Sequence, residues 1–153
     1  MKNLLAALLI TLLSGISFAS GVVSSSESAK DSRYDILDLV IGVHKTYSRA
    51  AGLDASVFEI IGGDGMNPTR MILIINDGLG NKKTFELSQM MVSVSRITFL
   101  SKNEIVINFA QDDFKNISED NYSQVIIERS IKIKLTKNNN GEMSDTVSVE
   151  SLK

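Results

Sequence analysis

Apolar and polar positions alternate in short runs along most of the chain. Phe85 and Leu87 alternate with Thr84 and Glu86, and Ile105, Ile107 and Phe109 with Val106, Asn108 and Ala110. Ile131, Ile133 and Leu135 alternate with Ser130, Lys132 and Lys134, and Val147 and Val149 with Thr146, Ser148 and Glu150. A period of two belongs to a strand with one face inward. Met71–Ile75 is apolar at successive positions, which predicts a central or covered strand, and Val57–Ile61 adds another. Tyr34–Val43 has two readings. As a helix it gathers Ile36, Leu37, Val40 and Ile41 on one face; as a strand it turns Leu37, Leu39, Ile41 and Val43 inward. Its β-branched residues and mid-run Gly42 favour the strand. Val92 and Val94 fall on even positions but Ile97 and Phe99 on odd ones, which predicts a bulge at Ser95–Arg96 or a turn.

Parity also constrains two hairpins, because directly opposed residues of an antiparallel pair share a face. A two-residue turn at Asn140–Gly141 would set Leu135 against Thr146 and mix the faces. The loop Asn139–Asn140–Gly141 sets Ile133 against Val147 and Ile131 against Val149, with Gly141 left-handed. The same reasoning selects the loop Ser101–Lys102–Asn103 with Asn103 left-handed. Gly62–Pro68 and Asn76–Asn81 carry turn chemistry, and Asp112–Ser123 reads as a longer polar loop. The expected fold is all-β: an antiparallel sandwich of seven or eight strands, immunoglobulin-like in architecture, with a small barrel as second choice.

The first nineteen residues follow a different rule. Met1–Lys2–Asn3 is a short basic start, Leu4–Leu13 an apolar run, and Ser17 and Ala19 are small residues before a cut at Ser20. That order predicts a secretory signal peptide. The apolar run is too short to span a bilayer core, which takes about 20 residues. Ser20–Ser32 reads as a flexible serine-rich leader, and residues 33–153 as one β domain. The expectation is an exported protein, periplasmic or extracellular. With no Cys to carry a lipid, it is soluble and without a lipid anchor.

Composition narrows the chemistry. The 153 residues carry a net charge of −2, which becomes −3 without Lys2, so no basic face for nucleic acid is expected. The absence of Cys excludes disulfides, thiol catalysis and Cys-based zinc sites. Gly63–Asp64–Gly65 and Gly78–Leu79–Gly80 brush against phosphate-binding fingerprints, but neither opens a helix, so both read as structural turns. His44 is the one imidazole, expected at the surface or in a turn. An enzyme would place it beside a Ser or a carboxylate in a pocket. Asp112, Asp113, Glu119 and Asp120, with Asn116 and Asn121 among them, offer hard oxygen ligands for calcium, against the plainer reading of a solvated loop. The sequons Asn116–Ile117–Ser118 and Asn121–Tyr122–Ser123 matter where the source glycosylates. Lys132, Lys134 and Lys137 read as a stripe that guards a strand edge rather than a polyanion site.

Without Trp or aromatic girdles, a sugar platform and an outer-membrane barrel are both disfavoured. The expected function is surface binding to a protein or an envelope component, without catalysis or cofactor. The alternatives are a small barrel carrying an apolar ligand and, more remotely, an enzyme using His44 or an acidic pair.

Overall fold

In a computed structural model the chain is described over residues 21–24, 39–118 and 121–152; for 21–24, 115–118 and 121–122 the description is of the backbone alone. The described residues form nine strands: β1 (Gly21–Ser24), β2 (Val40–Ser48), β3 (Leu53–Ile61), β4 (Thr69–Asn76), β5 (Lys82–Met91), β6 (Ser93–Phe99), β7 (Glu104–Ser118), β8 (Asn121–Lys137) and β9 (Met143–Leu152). They make two antiparallel sheets, ordered β2-β3-β4-β5 and β6-β7-β8-β9, with short β1 added along the outer edge of β9. Each sheet is a meander of successive hairpins, and β1–β9 is the one neighbour pair that is not sequential. The fold is therefore a two-layer, sandwich-like arrangement of open sheets rather than the small barrel held as second choice. The expected signal segment and most of the serine-rich leader lie outside the described residues. Gly21–Ser24, within that leader, pair with Thr146–Val149.

Alternation explains the core. Ala55, Val57, Met71, Leu73, Ile75, Phe85 and Leu87 of one sheet meet Ile97, Ile105, Ile107, Phe109, Ile131, Ile133, Val147 and Val149 of the other. Nearly all are fully buried. β4 is flanked by β3 and β5, as an apolar run on both faces predicts.

The phase change after β5 is where the chain changes sheets. Val92 donates its N–H to Ala110 O at 2.8 Å, and the buried Thr69 hydroxyl donates to the carbonyls of Met91 and Val92 at 2.7 and 2.8 Å. Ser95 then bulges out between the pairs Val94–Phe109 and Arg96–Asn108, which restores the inward phase at Ile97.

Both hairpin loops form as parity requires, with two corrections. In β6–β7, Ile97 faces Ile107 and Phe99 faces Ile105. Asn103 is not left-handed; its carbonyl accepts the N–H of Leu135 in β8 at 2.7 Å, which holds it in ordinary backbone. In β8–β9, Gly141 has φ 81° and Asn138 donates to Glu142 O at 2.9 Å, closing the three-residue loop. The expected pairs Ile133–Val147 and Ile131–Val149 are displaced by two. Thr136 faces a bulge in β9, so Leu135 pairs Val147 and Ile133 pairs Val149. A shift of two preserves the faces, and the apolar rows still meet.

Two further expectations change. Where Asp112–Ser123 is described it is strand, not loop: β7 runs on to Ser118 and β8 begins at Asn121. Tyr34–Val43 is described from Leu39 and is strand from Val40, but the expected face is reversed. Gly42, His44 and Thr46 turn inward while Ile41, Val43 and Tyr47 are 56%, 46% and 59% exposed.

Candidate functional site

The reversal of β2 has a local cause. Opposite Gly42 lies Glu59, buried at 6% exposure among the inward residues of β3. A Cβ on Gly42 would stand 2.7 Å from Glu59 Oε2, so the missing side chain is the space the carboxylate occupies. Glu59 Oε1 accepts the N–H of Val94 at 2.6 Å and meets His44 Nε2 at 2.8 Å. The carboxylate thus ties β2, β3 and the start of β6 together, where β2 and β6 close one side of the sandwich. This buried polar junction commits the even positions of β2 to the inside, and Ile41, Val43 and Tyr47 must then face out.

Those residues form the first column of an outward surface across β2–β5. Val43, Phe58, Ile72 and Glu86 lie in one cross-strand row, and Lys45, Ser56, Ile74 and Thr84 in the next. Tyr47, Asp54, Asn76 and Lys82 make the third. A shallow concavity of about 540 Å³ opens on it, lined by Tyr47, Phe58 and Ile74 together with Lys45, Asp54 and Lys82. Arg70 and Glu86 form an ion pair at 2.6 Å on the same face.

His44 is neither a turn residue nor alone: it sits in mid-strand with its side chain 30% exposed, beside Glu59. It meets a carboxylate, but no hydroxyl joins the pair among the described residues, and the concavity lies on the opposite face of β2.

Asp112 and Asp113 are successive strand residues, so they point to opposite faces of β7. Asp112 Oδ2 accepts from Gln124 Nε2 at 2.7 Å, and Asp113 Oδ2 meets Arg129 at 3.2 Å. Glu119 and Asp120 lie outside the described residues. No group of three potential metal ligands converges among the described residues.

The glycine-rich segments are turns. Asp64 Oδ1 accepts the N–H groups of Met66 and Asn67 at 2.9 and 2.6 Å, and a side chain at Gly63 would collide with Asn67 O. In the β4–β5 turn, the Asn81 side-chain amide and then the Leu79 N–H stabilise the Asp77 carboxylate and hold its pKa below the ordinary value.

The lysine stripe is also read differently. β8 is flanked by β7 and β9 here, so Lys132 and Lys134 guard no edge. Lys132 pairs with Glu150 at 2.7 Å, a hydrogen bond and charge contact that raise its pKa, and Lys134 lies across from Glu104. Lys137 has the opposite parity and stands exposed at the strand end.

Sequence reasoning missed Glu59, Tyr47 and Phe58. The signal for Glu59 was present: an acid at an inward position of Ala55–Val57–Glu59, and a glycine in a β-branched run opposite it. Comparison with protein-family models, curated proteins and solved structures found no match.

Proposed function

We propose that the protein is an exported, non-catalytic β-sandwich module that acts by surface binding to a protein or cell-envelope component, with the outer face of β2–β5 as its contact surface. One observation carries this reading. β2 presents Ile41, Val43 and Tyr47 to solvent on the same face as the half-buried Phe58 and Ile74, with Gly42, His44 and Thr46 turned to the other side. Contiguous exposed apolar surface of this kind marks interaction sites. Tyr47 and Phe58, aromatic residues of the type enriched at interfaces, line the concavity among polar neighbours. Export rests on the pattern of residues 1–19. Immunoglobulin-like describes the layering of such a module; the strand order is two meanders rather than the Greek key of immunoglobulin domains. A carrier of an apolar ligand would need interior room, whereas the space between the sheets is packed with fully buried side chains.

The test is retention of envelope components from the native source on the immobilised protein, comparing wild type with Val43→Lys and Tyr47→Ser. Both positions are exposed, so folding is expected to be unchanged. Loss of an interface tyrosine is expected to lower retention about tenfold. Equal retention by all three proteins, or none by wild type under several conditions, would count against the reading.

A further inference from the structure

The β7–β8 hairpin outruns its neighbours. β6 reaches only to the pair Ser93–Ala110, and β9 only to Ser130–Leu152. Beyond them, Gln111–Ser118 and Asn121–Arg129 form a two-stranded ribbon with two outer edges. The β7 edge is capped by side chains. The Asn67 amide, 7% exposed, accepts the Asp112 N–H at 2.9 Å and donates to Asp112 O at 3.2 Å, and Asp113 Oδ1 accepts the Phe114 N–H at 2.8 Å. The edge of β6 is treated alike, with its Val94 N–H bound by Glu59.

Among the described residues the β8 edge has no such caps. Both main-chain groups of Asp112 point to Asn67, away from β8, so Asp112–Ile126 is a non-hydrogen-bonded pair of the ladder. Ile126, and with it Gln124 and Glu128, therefore direct N–H and C=O away from β7 into the open side. Among the described residues these groups meet one partner, Ser123 Oγ on Gln124 O at 3.4 Å. The open stretch Asn121–Ile127 reads Asn-Tyr-Ser-Gln-Val-Ile-Ile, with no charge, proline or glycine, and Ile126 is 67% exposed. Natural edges are blunted by lysine, proline or bulges; Asn121–Ile127 holds no lysine or proline, and the irregularity of the ribbon lies on the β7 side, between Asn116 and Ser118.

We infer that this edge pairs, antiparallel, with the same stretch of a second copy of this chain, joining two sheets into one across a twofold axis. Uncharged, β-prone segments of this length favour identical partners. A pairing centred on Gln124 sets position 122 of each copy in register with Ile126 of the other, and Gln124 with Gln124. β9 covers β8 from Ser130 onward, which confines the pairing to the ribbon, and twofold closure leaves no further copy of the edge open. The inference is independent of the surface proposed on β2–β5.

Sedimentation equilibrium of the full chain over a wide concentration range tests it. A dimer is expected, with Ile126→Lys weakening association about tenfold or more, by analogy with loss of a buried apolar anchor, and Val43→Lys leaving it unchanged. Hydrogen exchange on the unmutated protein gives a second reading. The amides of Tyr122, Gln124 and Ile126 should become protected as concentration rises. A monomer throughout, a dimer indifferent to Ile126→Lys, or fast exchange of these amides at every concentration would overturn the inference.

Discussion

Glu59 holds the junction that turns β2 inside out, so its removal should cost more than the loss of an ordinary surface acid. Glu59→Ala strands the Val94 N–H, whose acceptor sits 2.6 Å away in a residue 6% exposed. A buried donor left unpaired costs about 1–3 kcal/mol. His44 is 30% exposed and can turn to water, so its lost contact adds at most about 0.5 kcal/mol. With the lost packing of the side-chain stem, about 0.8 kcal/mol for each buried methylene, the expected destabilisation is about 2–4 kcal/mol. At this chain length that lowers Tm by about 10 °C. Glu59→Gln keeps an acceptor for Val94 and should cost about half as much. Gly42→Ala supplies the internal control. Its Cβ would meet Glu59 Oε2 at 2.7 Å and Cδ at 2.8 Å, and displacing a held carboxylate should cost about 1–3 kcal/mol. Combined with Glu59→Ala the clash is gone, and alanine should then be neutral or gain about 0.5 kcal/mol over glycine in a strand. Equilibrium urea unfolding of the wild type and these four variants measures each value. A loss below about 0.5 kcal/mol for Glu59→Ala, or an equal cost of Gly42→Ala in both backgrounds, would refute the reasoning.

Other outcomes follow from the same kind of accounting. Asn67→Ala removes both bonds to Asp112 from a buried side chain and should cost about 1–3 kcal/mol in urea unfolding, with faster exchange of the Asp112 amide. Gly141→Ala places a side chain at φ 81° and should destabilise by about 1 kcal/mol, with Gly141→Asn nearer wild type. Asp77 titrates below its ordinary value because Asn81 and Leu79 bind its charged form. The stability it contributes is therefore present above the unfolded-state pKa and is lost as pH falls through the lowered one. In an NMR titration, Asn81→Ala should move the Asp77 midpoint upward, and no movement would assign the shift to something other than that amide. Leu73→Ala, at a fully buried core position, should cost about 2–5 kcal/mol.

How much of this was legible in the sequence depended on whether a residue's environment was local. Phe85–Leu87, Ile105–Phe109 and Ile131–Leu135 announced their inward faces because one sheet face meets one core. The Ser95 bulge followed because a change of phase has to be absorbed somewhere. The loop at Gly141 followed from parity, but the extra residues of β9 opposite Thr136 did not, since a shift of two leaves every face unchanged. β2 was misread for a different reason. Its apolar residues were assigned to the core by pattern, whereas its face is set by Glu59, fifteen positions beyond His44 in the chain. Asp112–Ser123 looked like a loop because a ribbon that runs on past β6 and β9 is not held to the apolar alternation of the core. The proposed contact surface was invisible in the sequence because Tyr47, Phe58 and Ile74 come from three strands and share a face only through the register.

The central claim is that the apolar side of β2 faces outward, and the chain's lack of cysteine makes a direct measurement simple. Single cysteines at Val43, Lys45 and Tyr47, and at His44 and Thr46, can be timed for reaction with a maleimide in the folded protein. The account predicts an alternating pattern, with positions 43, 45 and 47 reacting at rates near those of the unfolded chain and positions 44 and 46 slower by about tenfold or more. Fast reaction at 44 and 46 with protection at 43 and 47 would contradict it, and would return the apolar face of β2 to the core.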